Sequence, residues 1–123
     1  MVKYIKSTEY IFGMANLTPK RTGLLVDIWS DHNGISRKVS HKNSPRVKIG
    51  RQGQFEISIT IEPDPKIKAK SSGITQAQLK DCQPAVDYVG RNSDVFLKHY
   101  MDTKDEFDDD DLKDALKQRG EYK

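Results

Sequence analysis

Cysteine occurs once in this chain, at Cys82, which excludes an intramolecular disulfide and any metal cage built from cysteines. No apolar run approaches the roughly 20 residues that a membrane-spanning helix needs, so no membrane partner is expected. Residues 1–13 lack the continuous apolar block of a signal peptide, and the expected compartment is the cytoplasm. No glycine-rich phosphate loop is present, and no Ser or Cys sits in a nucleophile elbow. These absences remove the common nucleotide-binding and acyl-transfer motifs. The expectation is a protein that is not an enzyme and uses no cofactor.

What is there fits one domain over residues 1–123, large enough to bury a single modest core. Charge is unevenly spread. Residues 1–80 hold 14 Lys/Arg against 6 Asp/Glu, whereas residues 81–123 hold 7 against 12. A basic front and an acidic back make a dipolar molecule, either as two solvated surfaces or as two binding surfaces.

Hydrophobic patterning divides the chain into an N-terminal strand and loop (1–23), a β-sheet (24–70) and a helical part (74–119). Residues 3–12, rich in β-branched and aromatic types, suit an edge strand, and 15–23 read as a loop. Met14 is a candidate internal start, with residues 1–13 an upstream extension. Leu24, Val26 and Ile28 alternate with Leu25, Asp27 and Trp29 as a half-buried strand does. Asn33-Gly34 predicts a type I′ hairpin turn with a return strand over 35–40, followed by a polar loop over 41–45. Val47 and Ile49 oppose Arg46 and Lys48 in a further strand, which turns at 50–53. Phe55, Ile57, Ile59 and Ile61 share one face of what reads as the central strand, ended by Pro63 and Pro65. Lys66 to Lys70 alternates as an edge strand guarded by lysines.

The period then changes. Thr75 and Gln78 form a capping box, and Leu79, Cys82, Val86 and Val89 fall on one helical face. Pro84 predicts a kink or break in that helix, and 90–93 a weak point before the apolar face resumes to about residue 101. Leu112, Ala115 and Leu116 mark a last helix from about Asp109 to Arg119, stopped by Gly120. The expected fold is α+β, a curved antiparallel meander of four or five strands followed by two or three helices packed on one face.

Four residue groups are candidates for function. His32 beside Asp31, with His41, Asn43 and Arg46, has the residue types of a ribonuclease-like toxin, which needs proton transfer and cationic stabilisation. The spacing matches no motif, and solvated loop histidines are the commoner outcome. For a metal, His32, His41, Asp31 and Asp108 to Asp111 are the available ligands. The aspartates are consecutive, without the alternating spacing of a calcium loop, so helix capping explains them better and no metal is expected. Trp29, Arg37, Lys38, Arg46, Lys48, Lys66 and Lys68 would make a basic sheet face with one stacking aromatic, a way of holding nucleic acid. The alternative for them is a solvated outer face. Seven carboxylates lie within Asp102–Asp111, and Asp105, Glu106, Asp108, Asp109, Asp110 and Asp111 are candidate phosphate mimics as well as candidate caps.

The run Ala15-Asn16-Leu17-Thr18-Pro19-Lys20-Arg21-Thr22-Gly23-Leu24, followed by Asp27-Ile28-Trp29 and Pro45-Arg46-Val47-Lys48-Ile49, resembles a group of small bacterial and phage proteins. The resemblance covers about residues 14–116 and implies a mobile-element setting, with no particular activity. Together these readings give a non-enzymatic binding protein that acts on nucleic-acid machinery as an inhibitor of a host nuclease or defence complex. Its partner would be a host protein or nucleoprotein complex. Direct nucleic-acid binding through the basic face, as a regulator, is the alternative.

Overall fold

The structure is a computed structural model that describes residues 14–37 and 44–123. The strand expected over 3–12, together with Lys38 and His41, lies outside those residues. Five strands form one antiparallel sheet in chain order: β1 (Ala15–Leu17), β2 (Asp27–Ser30), β3 (Arg46–Arg51), β4 (Phe55–Thr60) and β5 (Ile67–Lys70). A single helical turn, α1 (Pro19–Thr22), joins β1 to β2, and three longer helices follow the sheet: α2 (Gln76–Arg91), α3 (Ser93–Met101) and α4 (Asp109–Gln118). The α+β class and the order of sheet before helices are as the patterning implies.

Register follows the apolar period. Ile28 pairs with Ile49, Ile49 with Ile57, and Val47 with Ile59, so these side chains share the face that the helices cover. All five are at most 2% exposed. Burying each such side chain contributes about 1.5–3 kcal/mol before ordering costs, which makes this row one substantial part of the core. The middle of the sheet is β3, while β4 runs inside it between β3 and β5. Gly50, at φ +156°, closes the β3–β4 hairpin, where a Cβ would stand 2.2 Å from the Phe55 carbonyl oxygen.

Several local expectations need correction. Residues 15–23 are not a plain loop, since they hold β1 and α1, and Gly23 ends α1 in the left-handed region. Asn33-Gly34 makes no two-residue hairpin: β2 pairs with β3, and Gly34–Ser36 is a 3₁₀ turn. The reason is tertiary. Asn33 takes the left-handed conformation while its N–H donates to the His99 carbonyl at 3.1 Å. Gly34 lies so close to Tyr100 that a Cβ would fall 2.4 Å from the ring. Of the kink or break expected at Pro84, no break occurs: α2 runs through it, and Pro84 is exposed beside exposed Lys80, so the carbonyl that loses its donor can meet water.

The Thr75–Gln78 capping box is present at the start of α2. At its end, Asn92 leaves helical geometry and donates from Nδ2 to the Tyr88 carbonyl at 2.9 Å, which separates α2 from α3. The 90–93 weak point is thus a corner between two helices.

Candidate functional site

Among the described residues, histidine and carboxylate side chains converge where the end of β2 meets α3 and the loop leading into α4. Ser30 ends β2, and Asp31 and His32 follow it. On α3, Val95, Phe96, His99 and Tyr100 are buried together. His99 therefore belongs to an apolar helical face, and it points at the sheet.

His99 is fully buried and bonded on both sides. Its Nδ1 lies 2.8 Å from Ser30 Oγ and its Nε2 lies 2.7 Å from Asp109 Oδ1. A carboxylate only accepts, so Nε2 carries the proton. Burial holds the ring's pKa below the ordinary imidazole value, against the pull of Asp109. In the neutral ring Nδ1 is then an acceptor, and the Ser30 hydroxyl donates to it. The Ser–His–Asp order resembles a catalytic relay, but Ser30 and His99 are both 0% exposed. The hydroxyl reaches no substrate, and the chain of bonds ties α3 and α4 to β2.

His32 is the partly buried counterpart. Its ring centroid lies 5.1 Å from that of His99, and its Nε2 stands 2.7 Å from Asp102 Oδ2 and 3.7 Å from Asp105 Oδ1. The hydrogen bond to Asp102 raises its pKa above the ordinary imidazole value. Asp102 is held well below the carboxylate range by His32 and by backbone N–H groups. Those donors are Phe107 at 2.9 Å, Glu106 at 3.1 Å and Lys104 at 3.3 Å, so one carboxylate organises the whole turn. Beside it, the buried Asp31 carboxylate meets Arg37 Nε at 2.7 Å.

The acidic stretch divides into working and outward carboxylates. Asp108 caps α4, accepting from Asp111 N at 3.0 Å, and the Asp111 carboxylate in turn accepts from Asp108 N. Asp109 serves His99, and Asp102 serves His32. Glu106, Asp108, Asp110 and Asp111 are exposed, and the Asp105 side chain is 86% exposed.

The basic candidates are not gathered into one surface. Trp29 and Lys48 pair across the face opposite the helices, yet Trp29 is only 1% exposed and offers no open ring for stacking. Lys48 is bound to Glu56 at 2.9 Å. Arg46 shares that face by register, and Arg37 is committed to Asp31. Lys70 stands opposite Ile57, hence on the helix side of the sheet, and a register irregularity at Ser58/Ile59 precedes Ile67. Lys66 and Lys68 are exposed at this edge, with Lys66 3.0 Å from Asp64.

His99 escapes a sequence reading because its partners Ser30 and Asp109 lie 69 and 10 residues away. Its one signal is an imidazole at helical spacing among apolar residues. The chain matches no protein-family model, no curated protein and no solved structure.

Proposed function

We propose that this is a non-enzymatic binding protein whose acidic corner docks on a basic, nucleic-acid-binding surface of another protein, as an inhibitor of a nuclease or defence complex. One observation carries the reading. The exposed carboxylates of 105–111 stand on a corner fixed from inside by the His32–Asp102 and His99–Asp109 pairs. Fixing charges before association lowers the ordering cost of binding, and a fixed acidic row complements a surface built for phosphates. The resemblance to small bacterial and phage proteins favours a mobile-element setting.

A second reading, direct nucleic-acid binding as a regulator, is favoured by the exposed lysines at the β5 edge. One experiment separates the two. The purified protein is titrated against labelled single- and double-stranded DNA and RNA at low and physiological salt, and separately immobilised to capture partners from bacterial lysate. The inhibitor reading expects no affinity for bare nucleic acid. It also expects a nucleic-acid enzyme to be retained and then lost from the Glu106→Gln/Asp110→Asn/Asp114→Asn variant, whose three positions stand outside the capping and histidine pairs. Salt-sensitive binding of bare nucleic acid, abolished by Lys66→Ala with Lys68→Ala at the exposed β5 edge, overturns it in favour of the second reading.

A further inference from the structure

We infer that His32, Asp102 and Asp105 form a binding site for a divalent cation of the zinc class, whether or not the acidic corner has a protein partner. Their ligand atoms, one imidazole nitrogen and two carboxylate oxygens, all lie within 4.8 Å of one another. Among the described residues it is the one such convergence of histidine, cysteine or acidic side chains.

The separations suit a metal. Ligands at about 2.0–2.1 Å from a tetrahedral zinc stand about 3.3 Å apart. His32 Nε2 to Asp102 Oδ2 is 2.7 Å and His32 Nε2 to Asp105 Oδ1 is 3.7 Å, so shifts of about half an ångström bring both onto the metal's edges. The proton now on Nε2 would leave as the ion binds, since a ligating imidazole must present its lone pair.

Two carboxylates alone would be a solvated acidic pair. Here the third donor is a nitrogen on a ring backed by His99, which is itself fixed on both sides. Asp102 is oriented by three backbone N–H groups, the kind of outer support that holds a ligating carboxylate in place. Asp105 comes from the exposed side and leaves a fourth position open to water. An imidazole with two carboxylates selects zinc-like ions over magnesium or calcium, which favour all-oxygen shells.

His32, Asp31, His41 and the Asp108–Asp111 run have no metal-binding spacing along the chain. The triad is a different ligand set, because His32 and Asp102 are 70 residues apart and only the fold unites them.

The test is calorimetric titration of chelator-treated full chain with Zn²⁺ alone, paired with ¹H–¹⁵N spectra of the histidine rings. Expected are one Zn²⁺ per chain, a shift of the His32 ring nitrogens, and at least about tenfold weaker binding in both His32→Gln and Asp105→Asn. Asparagine tolerates the positive φ of 59° at Asp105, so the second variant keeps the loop. Asp87→Asn, an exposed carboxylate on α2 away from the acidic corner, should bind as wild type does. No saturable binding, an equal loss in Asp87→Asn, or full competition by Mg²⁺ at matched concentration would each overturn the proposal.

Discussion

A buried imidazole bonded on both sides is specific in a way that an apolar residue is not. If His99 is replaced by Leu, Ser30 keeps a fully buried hydroxyl with no acceptor at that position, while half-exposed Asp109 can hydrate. Leaving a buried polar group unpaired costs about 1–3 kcal/mol. His99→Leu and Ser30→Ala should each destabilise by about that much in urea unfolding at pH 7. Together they should cost clearly less than the sum, because both remove one shared bond. Additive costs would mean that the Ser30–His99 bond contributes nothing. Gly34 offers a second test at this scale. Gly34→Ala should cost about 1–3 kcal/mol, because the Tyr100 ring it would strike is itself buried. Tyr100→Leu in the same chain should recover part of that loss.

At the scale of elements, local grammar was readable in several segments, though the Pro19 start and Gly23 stop of α1 read as a loop. The period-two run from Phe55 gives β4, and Thr75 with Gln78 starts α2 where the box predicts. Asp108 and Asp111 cap α4 by the same reciprocal arrangement. Capping also explains why the acidic stretch is less of a free surface than its charge suggests. Reading failed where a distant partner overrode a local preference. Asn33-Gly34 has the composition of a hairpin turn, but the backbone there is committed to His99 and Tyr100 on α3. The β5 lysines alternate in sequence, yet Lys70 pairs with Ile57 and so stands on the side of the sheet opposite Lys48. The capping box predicts its own measurement. Thr75→Ala should cost about 0.5–2 kcal/mol and raise amide exchange in the first turn of α2, while Thr75→Ser should restore both.

At the scale of the molecule, the end of the chain closes the fold. Glu121 receives Arg91 through Nε at 2.5 Å and Nη2 at 3.1 Å, and Asn92 Nδ2 at 2.8 Å. Its carbonyl accepts from the Tyr88 hydroxyl at 2.9 Å, and Lys123 N donates to the Arg21 carbonyl at 2.8 Å. Tyr122 is buried between these ties, with the Arg21 guanidinium 5.5 Å from its ring centroid. The segment thus links α1 to the α2–α3 corner. The hydrogen bonds from Arg91 lower the pKa of Glu121 below its usual value of 4.5, with Asn92 adding to the effect. A depressed carboxylate contributes stability that is fully present above the unfolded-state pKa and fades as pH falls through the folded-state value. Acid should therefore loosen this closure first below about pH 4.5. Unfolding midpoints measured from pH 7 down to pH 3 should fall less steeply in Glu121→Gln than in wild type, with the variant already weaker at pH 7. Parallel curves for the two proteins would show that Glu121 does not carry the acid sensitivity, and would leave the Asp94–Arg119 pair, whose carboxylate is also depressed by its arginine, as the next group to neutralise.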